Sequence, residues 1–149
     1  MAPATLFALA NGLALLCWIA LAGSLFLPRV RVTVWSLTGL VVPALFAAAY
    51  VVLLPRGMAE SPDGGFGSLE AVRALFASDS ALTAGWLHYL AFDLFVGTFI
   101  ARAGSEARIP GLLLLPCLAL TFLFGPAGLL LFLVIRFIAS SIRGPEVAS

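Results

Sequence analysis

The sequence predicts an all-α integral membrane protein: a four-helix bundle with a short amphipathic helix in the loop between spans 2 and 3. Three observations carry that prediction. Of 149 residues, 62% are hydrophobic and 10% are charged, where soluble domains average about 45–50% apolar and about 25% charged. The mean hydropathy is +1.14, an excess that a fold this small cannot hide from water. The apolar residues also gather in four runs, each near the ~20 helical residues needed to cross a ~30 Å hydrocarbon core. We place these spans at about 5–27, 34–54, 82–101 and 110–138 of a single transmembrane domain, 1–149.

Eight basic residues, all arginine, nearly balance seven acidic ones. That excludes nucleic acid as a partner, which calls for a basic stripe. Cys17 and Cys117 lie in apolar runs, where a thiol behaves as a small hydrophobe.

The first span has no positive segment before it, and its apolar run from Leu6 to Leu27 exceeds the ~7–15 residues of a signal-peptide core. Leu13 to Cys17, LALLC, lacks the small residue expected before a lipid-modified cysteine. It therefore reads as a true span. Pro28 closes it, since proline cannot continue a helix, and Arg29 and Arg31 mark a hydrated turn. The second span ends at Pro55–Arg56, with Trp35 and Tyr50 near its ends, where aromatic rings favour the headgroup zone. Pro43 should bend it.

Residues 55–81 form the one long connection. Pro62 to Gly67, PDGGFG, is turn chemistry. Ser68 can then cap a short helix with Leu69, Val72, Leu75 and Phe76 on one side and with Glu70 and Arg73 spaced to pair. Too short to span, this helix either lies in the interface or roofs a cavity; a plain surface loop is the alternative. Asp79 or Ser80 caps the third span. The fourth contains Pro116 and Gly125 to Gly128, GPAG. Each proline leaves the carbonyl four residues back, Leu112 and Phe122, without a helical partner. The small residues admit a neighbouring backbone; simple kinking is the other reading. Arg136 can snorkel from the last turn, ahead of a polar tail ending at Ser149.

Arginines tie across the membrane: Arg29, Arg31, Arg102 and Arg108 in the short connections against Arg56, Arg73, Arg136 and Arg143. Density places the short loops in the cytoplasm and both termini outside.

The chemistry gathers in the third span. Trp86 to Ala101, WLHYLAFDLFVGTFIA, holds the chain's one histidine, His88, and an acid, Asp93. An ionisable group in hydrocarbon costs at least ~2.5–3.5 kcal/mol, so its presence there points to a use. At 100° per residue the two lie about 140° apart around the helix and about 7.5 Å apart along it. No direct bond is expected between them. Both can face protein only if this helix is central, or if they line two sides of one pocket. Trp86, Tyr89, Asp93 and Gly97 share one stripe; His88 shares another with Ala84, Phe92 and Phe95. Asn11, Arg102 and Arg136 are the possible partners of Asp93, and a purely structural Asn11–Asp93 clamp is the alternative. No metal is expected, because one histidine with scattered acids lacks ligand spacing.

The run FASDSALTAGWLHYLAFDLFVG, Phe76 to Gly97, with FLFGPAG, Phe122 to Gly128, resembles the small membrane family of the plant abscisic-acid-deficient-four protein. FALAN, Phe7 to Asn11, and VPAL, Val42 to Leu45, extend the resemblance. Its most specific part is Trp86-x-His88-x-Leu90-x-x-Asp93-Leu94-Phe95, followed by Arg102. The plant protein is required for making neoxanthin from violaxanthin. The resemblance thus implies a carotenoid isomerisation in which an epoxide becomes an allenic alcohol, with no cofactor. Such a reaction needs an acid at the epoxide oxygen and a base at the vinylic hydrogen. His88 and Asp93 are the candidates, with Glu70 and Asp79 in reserve. Asn11, Trp86, Tyr89, Phe92, Phe95, Arg102 and Arg136 would hold the substrate.

The lysine-free composition and the lack of a plastid-type transit segment point to a bacterial inner membrane, so the expected ligand is a hydrophobic polyene or lipid rather than violaxanthin itself. A carotenoid-binding protein without turnover and an assembly subunit of a larger membrane complex are the alternatives. A homo-oligomer is compatible with so apolar a chain.

Overall fold

A computed structural model of the chain describes residues 2–143. Helix α1 (Pro3–Ser24) begins with proline in its first turn, where no helical donor is lost. Its C-terminal end is held by Arg31, which donates to the carbonyls of Ser24 at 3.0 Å and Leu25 at 2.6 Å. Trp35 donates from its indole nitrogen to Ser24 Oγ at 3.1 Å. The expected hydrated turn is therefore a built cap.

From Pro28 to Glu60 the chain is one helical rod. A 3₁₀ turn (Pro28–Val30) leads into α2 (Arg31–Ser36), a π-helical stretch (Leu37–Val41) and α3 (Val42–Glu60). Pro43 cannot donate to Gly39 and crowds its carbonyl. The wider π winding lies immediately before it, so the bend expected at Pro43 takes this form. Thr38, in the π stretch, is hydrogen-bonded to Thr98 at 2.7 Å.

Two expectations for the long connection are corrected. First, α3 does not stop at Pro55 but runs on to Glu60. Its end is locked against the third span: the Glu60 carboxylate accepts from Ser78 Oγ at 2.6 Å and Ser80 Oγ at 3.0 Å, and pairs with Arg56 at 3.0 Å. Second, the N-cap of the next long helix is Ser78, whose Oγ accepts from the Ala81 amide at 3.3 Å. Ser80 is already engaged by Glu60, and Asp79 sits exposed in the first turn. Helix α4 (Leu69–Leu75) is capped by Ser68 as expected, through the Ala71 amide at 3.1 Å. Its apolar stripe is only half engaged: Leu75 is fully buried while Leu69 is 68% exposed. Glu70 and Arg73 do not pair; the one ion pair among the described residues is Arg56–Glu60.

Helix α5 (Asp79–Glu106) is the centre, packed against α1, α3 and α6. The largest correction follows it. Residues 110–138 do not form one span. They form a helical hairpin of α6 (Gly111–Phe124) and α7 (Pro126–Arg143). Gly125 makes the turn at φ +49°, ψ −100°, a conformation open essentially to glycine. The two arms lie so close that a Cβ on Gly128 would run into Thr121 and the Cys117 carbonyl. Phe132 of α7 is fully buried and meets Phe99 of α5 edge-on at 6.0 Å.

Three helices are therefore long and apolar enough to cross a membrane, and the hairpin folds back on itself beside α5. Its 14-residue first arm reaches only about 20 Å, so the tip stops opposite Asp93, half-way along α5. Returning, α7 brings Arg136 and Arg143 to the end that holds Arg29, Arg31, Arg102 and Arg108. The four-to-four tie becomes six against Arg56 and Arg73. The start of α1 and the end of α7 lie at opposite ends of the bundle, not on one side. The tail beyond residue 143 lies outside the described residues.

Candidate functional site along α5

The two polar residues that single out α5 face different surroundings. His88 is exposed on the side of α3 and the long connection. Its imidazole stacks on Phe92 at 4.6 Å between ring centres and lies 5.7 Å from the ring of Tyr50. With Tyr50, Leu54, Gly85, Phe66 and Phe76 it lines a cavity of about 250 Å³. Phe66 comes from the PDGGFG turn and Phe76 from just after α4, so residues flanking the short helix, and none of the helix itself, line this cavity.

Below that cavity, on the same side of α5, runs an apolar groove of about 320 Å³. Phe92 and Phe95 form one wall; Gly39, Pro43, Ala44 and Ala47 form the other. The small residues of the second rod leave the space, and the Thr38–Thr98 bond with Gly39 packed on Thr98 fixes the spacing. Gly39 and Phe95 also line a third cavity of about 240 Å³, which ends at Arg102 and Glu106. From His88 to Glu106 along α5 is about 27 Å at 1.5 Å per residue, close to the full hydrocarbon thickness. Three depressions thus follow one side of α5; the middle and lower ones share Gly39 and Phe95, and polar residues line the two outer ones.

Asp93 is on the opposite side. Its Oδ1 lies 3.0 Å from where a Cβ on Gly125 would stand, and its Oδ2 is buried without a hydrogen-bond partner. Tyr89, one turn earlier, donates its hydroxyl to the Phe122 carbonyl at 3.3 Å. That carbonyl does want an outside partner, as expected, although the cause is a helix end rather than a kink. The Asn11–Asp93 clamp does not form: Asn11 accepts from the Trp86 indole at 3.0 Å and donates to the Phe7 carbonyl at 2.8 Å. Neither Arg102 nor Arg136 forms an ion pair with Asp93, because both stand near the other end of the bundle. Glu70 and Asp79 are exposed and line none of the three cavities.

Of the expected site residues, then, His88, Phe92, Phe95 and Arg102 share one surface. Asp93, Tyr89, Trp86 and Asn11 belong to the packing of α5 against α1 and the hairpin. Tyr50, Phe66, Phe76, Ala47 and Glu106 escaped sequence reasoning. Tyr50 could have been found from its position near the end of the second span; the others carry no signal until the groove exists.

The fold defines a helical membrane protein with an apolar groove between α3 and α5. The chain belongs to the ABA DEFICIENT 4-like family, which it matches over residues 5–132. No curated protein and no solved structure matches it.

Proposed function

We propose that the chain holds an extended isoprenoid polyene in the α3–α5 groove and isomerises its end group in the cavity at His88. What supports this reading is the groove itself, an apolar slot of about 320 Å³ walled by Phe92 and Phe95, with a separate cavity holding an imidazole and a phenol next along α5. Family membership supports it, since the plant namesake serves neoxanthin synthesis.

An epoxide-to-allene isomerisation removes a vinylic proton. The C–H electron pair becomes a new double bond as the epoxide C–O bond opens, and the oxygen takes up a proton. Product and substrate are isomers, so no oxidant or reductant is consumed. His88 can take the first proton and the Tyr50 hydroxyl can supply the second; return of the proton from imidazole to phenolate resets the site. Asp93, first paired with His88 on sequence grounds, has no place in this step because it faces the hairpin tip.

His88→Ala and Tyr50→Phe should each keep bound polyene and lose turnover, read by chromatography of the extracted pigment. Full turnover in both variants would refute the assignment. Binding without chemistry is the second reading, and the separation of Asp93 from His88 favours it, since the groove then holds no carboxylate beside the imidazole. Unaltered pigment after incubation with wild-type protein would select it.

A further inference from the structure

The end of the groove farthest from His88 has a chemistry of its own. Arg102 and Glu106 stand one turn apart on α5, line the same cavity, and are not paired with each other. At this spacing an arginine and a glutamate on an exposed helix face ordinarily can meet. Here both leave their hydrogen-bonding capacity open at the mouth of the cavity. Beside them, the Thr98 hydroxyl is already engaged with Thr38 and the Leu94 carbonyl, so it adds no free group.

Resting on the groove reading above, we propose that Arg102 and Glu106 form a subsite for an uncharged hydroxyl at the second end of the ligand. A hydroxyl can accept from the guanidinium and donate to the carboxylate at once. A phosphate at this place would meet the Glu106 carboxylate, and an ammonium would meet Arg102, so the pair disfavours charged headgroups of either sign. Arg102 and Glu106 lie about 21 and 27 Å along α5 from His88. A ligand reaching both ends must therefore be a rigid apolar rod that carries polar groups at its two termini. Arg102 and Glu106 are specificity-determining residues in this account and touch no reacting atom.

The experiment measures binding of three probes to the full chain in nanodiscs: β-carotene with no hydroxyl, β-cryptoxanthin with one, and zeaxanthin with two. Affinity should rise with the first hydroxyl, β-cryptoxanthin being favoured over β-carotene by about tenfold, the scale of one or two hydrogen bonds, and zeaxanthin should bind at least as well as β-cryptoxanthin. Arg102→Met with Glu106→Gln should abolish that preference; a preference that survives both substitutions would overturn the subsite. Equal binding of all three probes by the wild-type chain would overturn the subsite while leaving the groove reading intact. Binding of none would overturn both. Retention of phosphatidylglycerol in place of the probes, tightened by Glu106→Gln, would show an anionic headgroup site and also overturn the proposal.

Discussion

The two faces of α5 carry opposite solutions to the cost of polarity in a membrane. On the α3 side the helix keeps its polar residues at the ends and leaves empty space between them: His88 above, Arg102 and Glu106 below, and Phe92 and Phe95 along the middle. On the hairpin side space is filled, and the polar residue sits in the centre. Gly97 lies directly against the Trp18 ring, Trp18 against Phe122 at 5.6 Å, and Asp93 against the Gly125 turn. A face built to bind can tolerate openness because a ligand completes it. A face built to hold must close on itself, and an Asp93 oxygen is left without a partner where the turn meets the middle of α5.

Breaking the closed face should have the largest effect. Gly125→Val forces a β-branched residue into φ +49° and drives its side chain onto Asp93. Backbone strain alone costs ~1–3 kcal/mol, so loss of folded protein in thermal-shift and size-exclusion assays is expected. The hairpin can also be read without destabilising it. In a cysteine-free background, an impermeant maleimide should label Ser140→Cys and Arg29→Cys from one side of the membrane and Asp63→Cys from the other. An unbroken fourth span would put Ser140→Cys with Asp63→Cys.

Intermediate effects belong to the open face. His88→Ala should lower turnover by ~10²-fold or more, the usual worth of a positioned proton-transfer group, with thermal stability close to wild type because the ring is exposed. Thr98→Val removes the bond to Thr38 and should cost ~0.6–2 kcal/mol of stability, measured by thermal shift, along with some loss of ligand affinity as the groove walls loosen. The smallest effect sharpens the contrast. Asp93→Asn should leave turnover within about twofold and change stability by no more than ~1 kcal/mol, since the amide replaces an acceptor that lacks a partner.

Much of this was legible in the chain. Apolar run lengths predict four spans, of which three correspond to helices long and apolar enough to cross a membrane, and Ser68 announces α4 by its spacing to the helix it caps. The 140° between His88 and Asp93 follows from helix geometry alone, and the central place of α5 is what lets both find protein. Three things were not legible. GPAG reads equally well as a kink or a turn, because the sequence names a weak point in a helix without giving the angle; only the contact of Gly128 with Thr121 decides it. The groove was hidden because it is made of what is missing. Pro43, Ala44 and Ala47 look like ordinary helix filler until α3 is set beside Phe92 and Phe95. Pro55 misled for a related reason: a proline's local cost says nothing of the Glu60 clasp that carries the helix past it.

The most direct test of the account fills one surface depression on each side and asks which one matters. Ala47→Trp would plug the α3–α5 groove, and Ala119→Trp would plug the smaller hollow between α1 and α6 that Trp18 and Phe122 line. With zeaxanthin as probe, the account predicts that Ala47→Trp loses binding by tenfold or more while Ala119→Trp binds as wild type. Undiminished binding in Ala47→Trp, or loss only in Ala119→Trp, would contradict it.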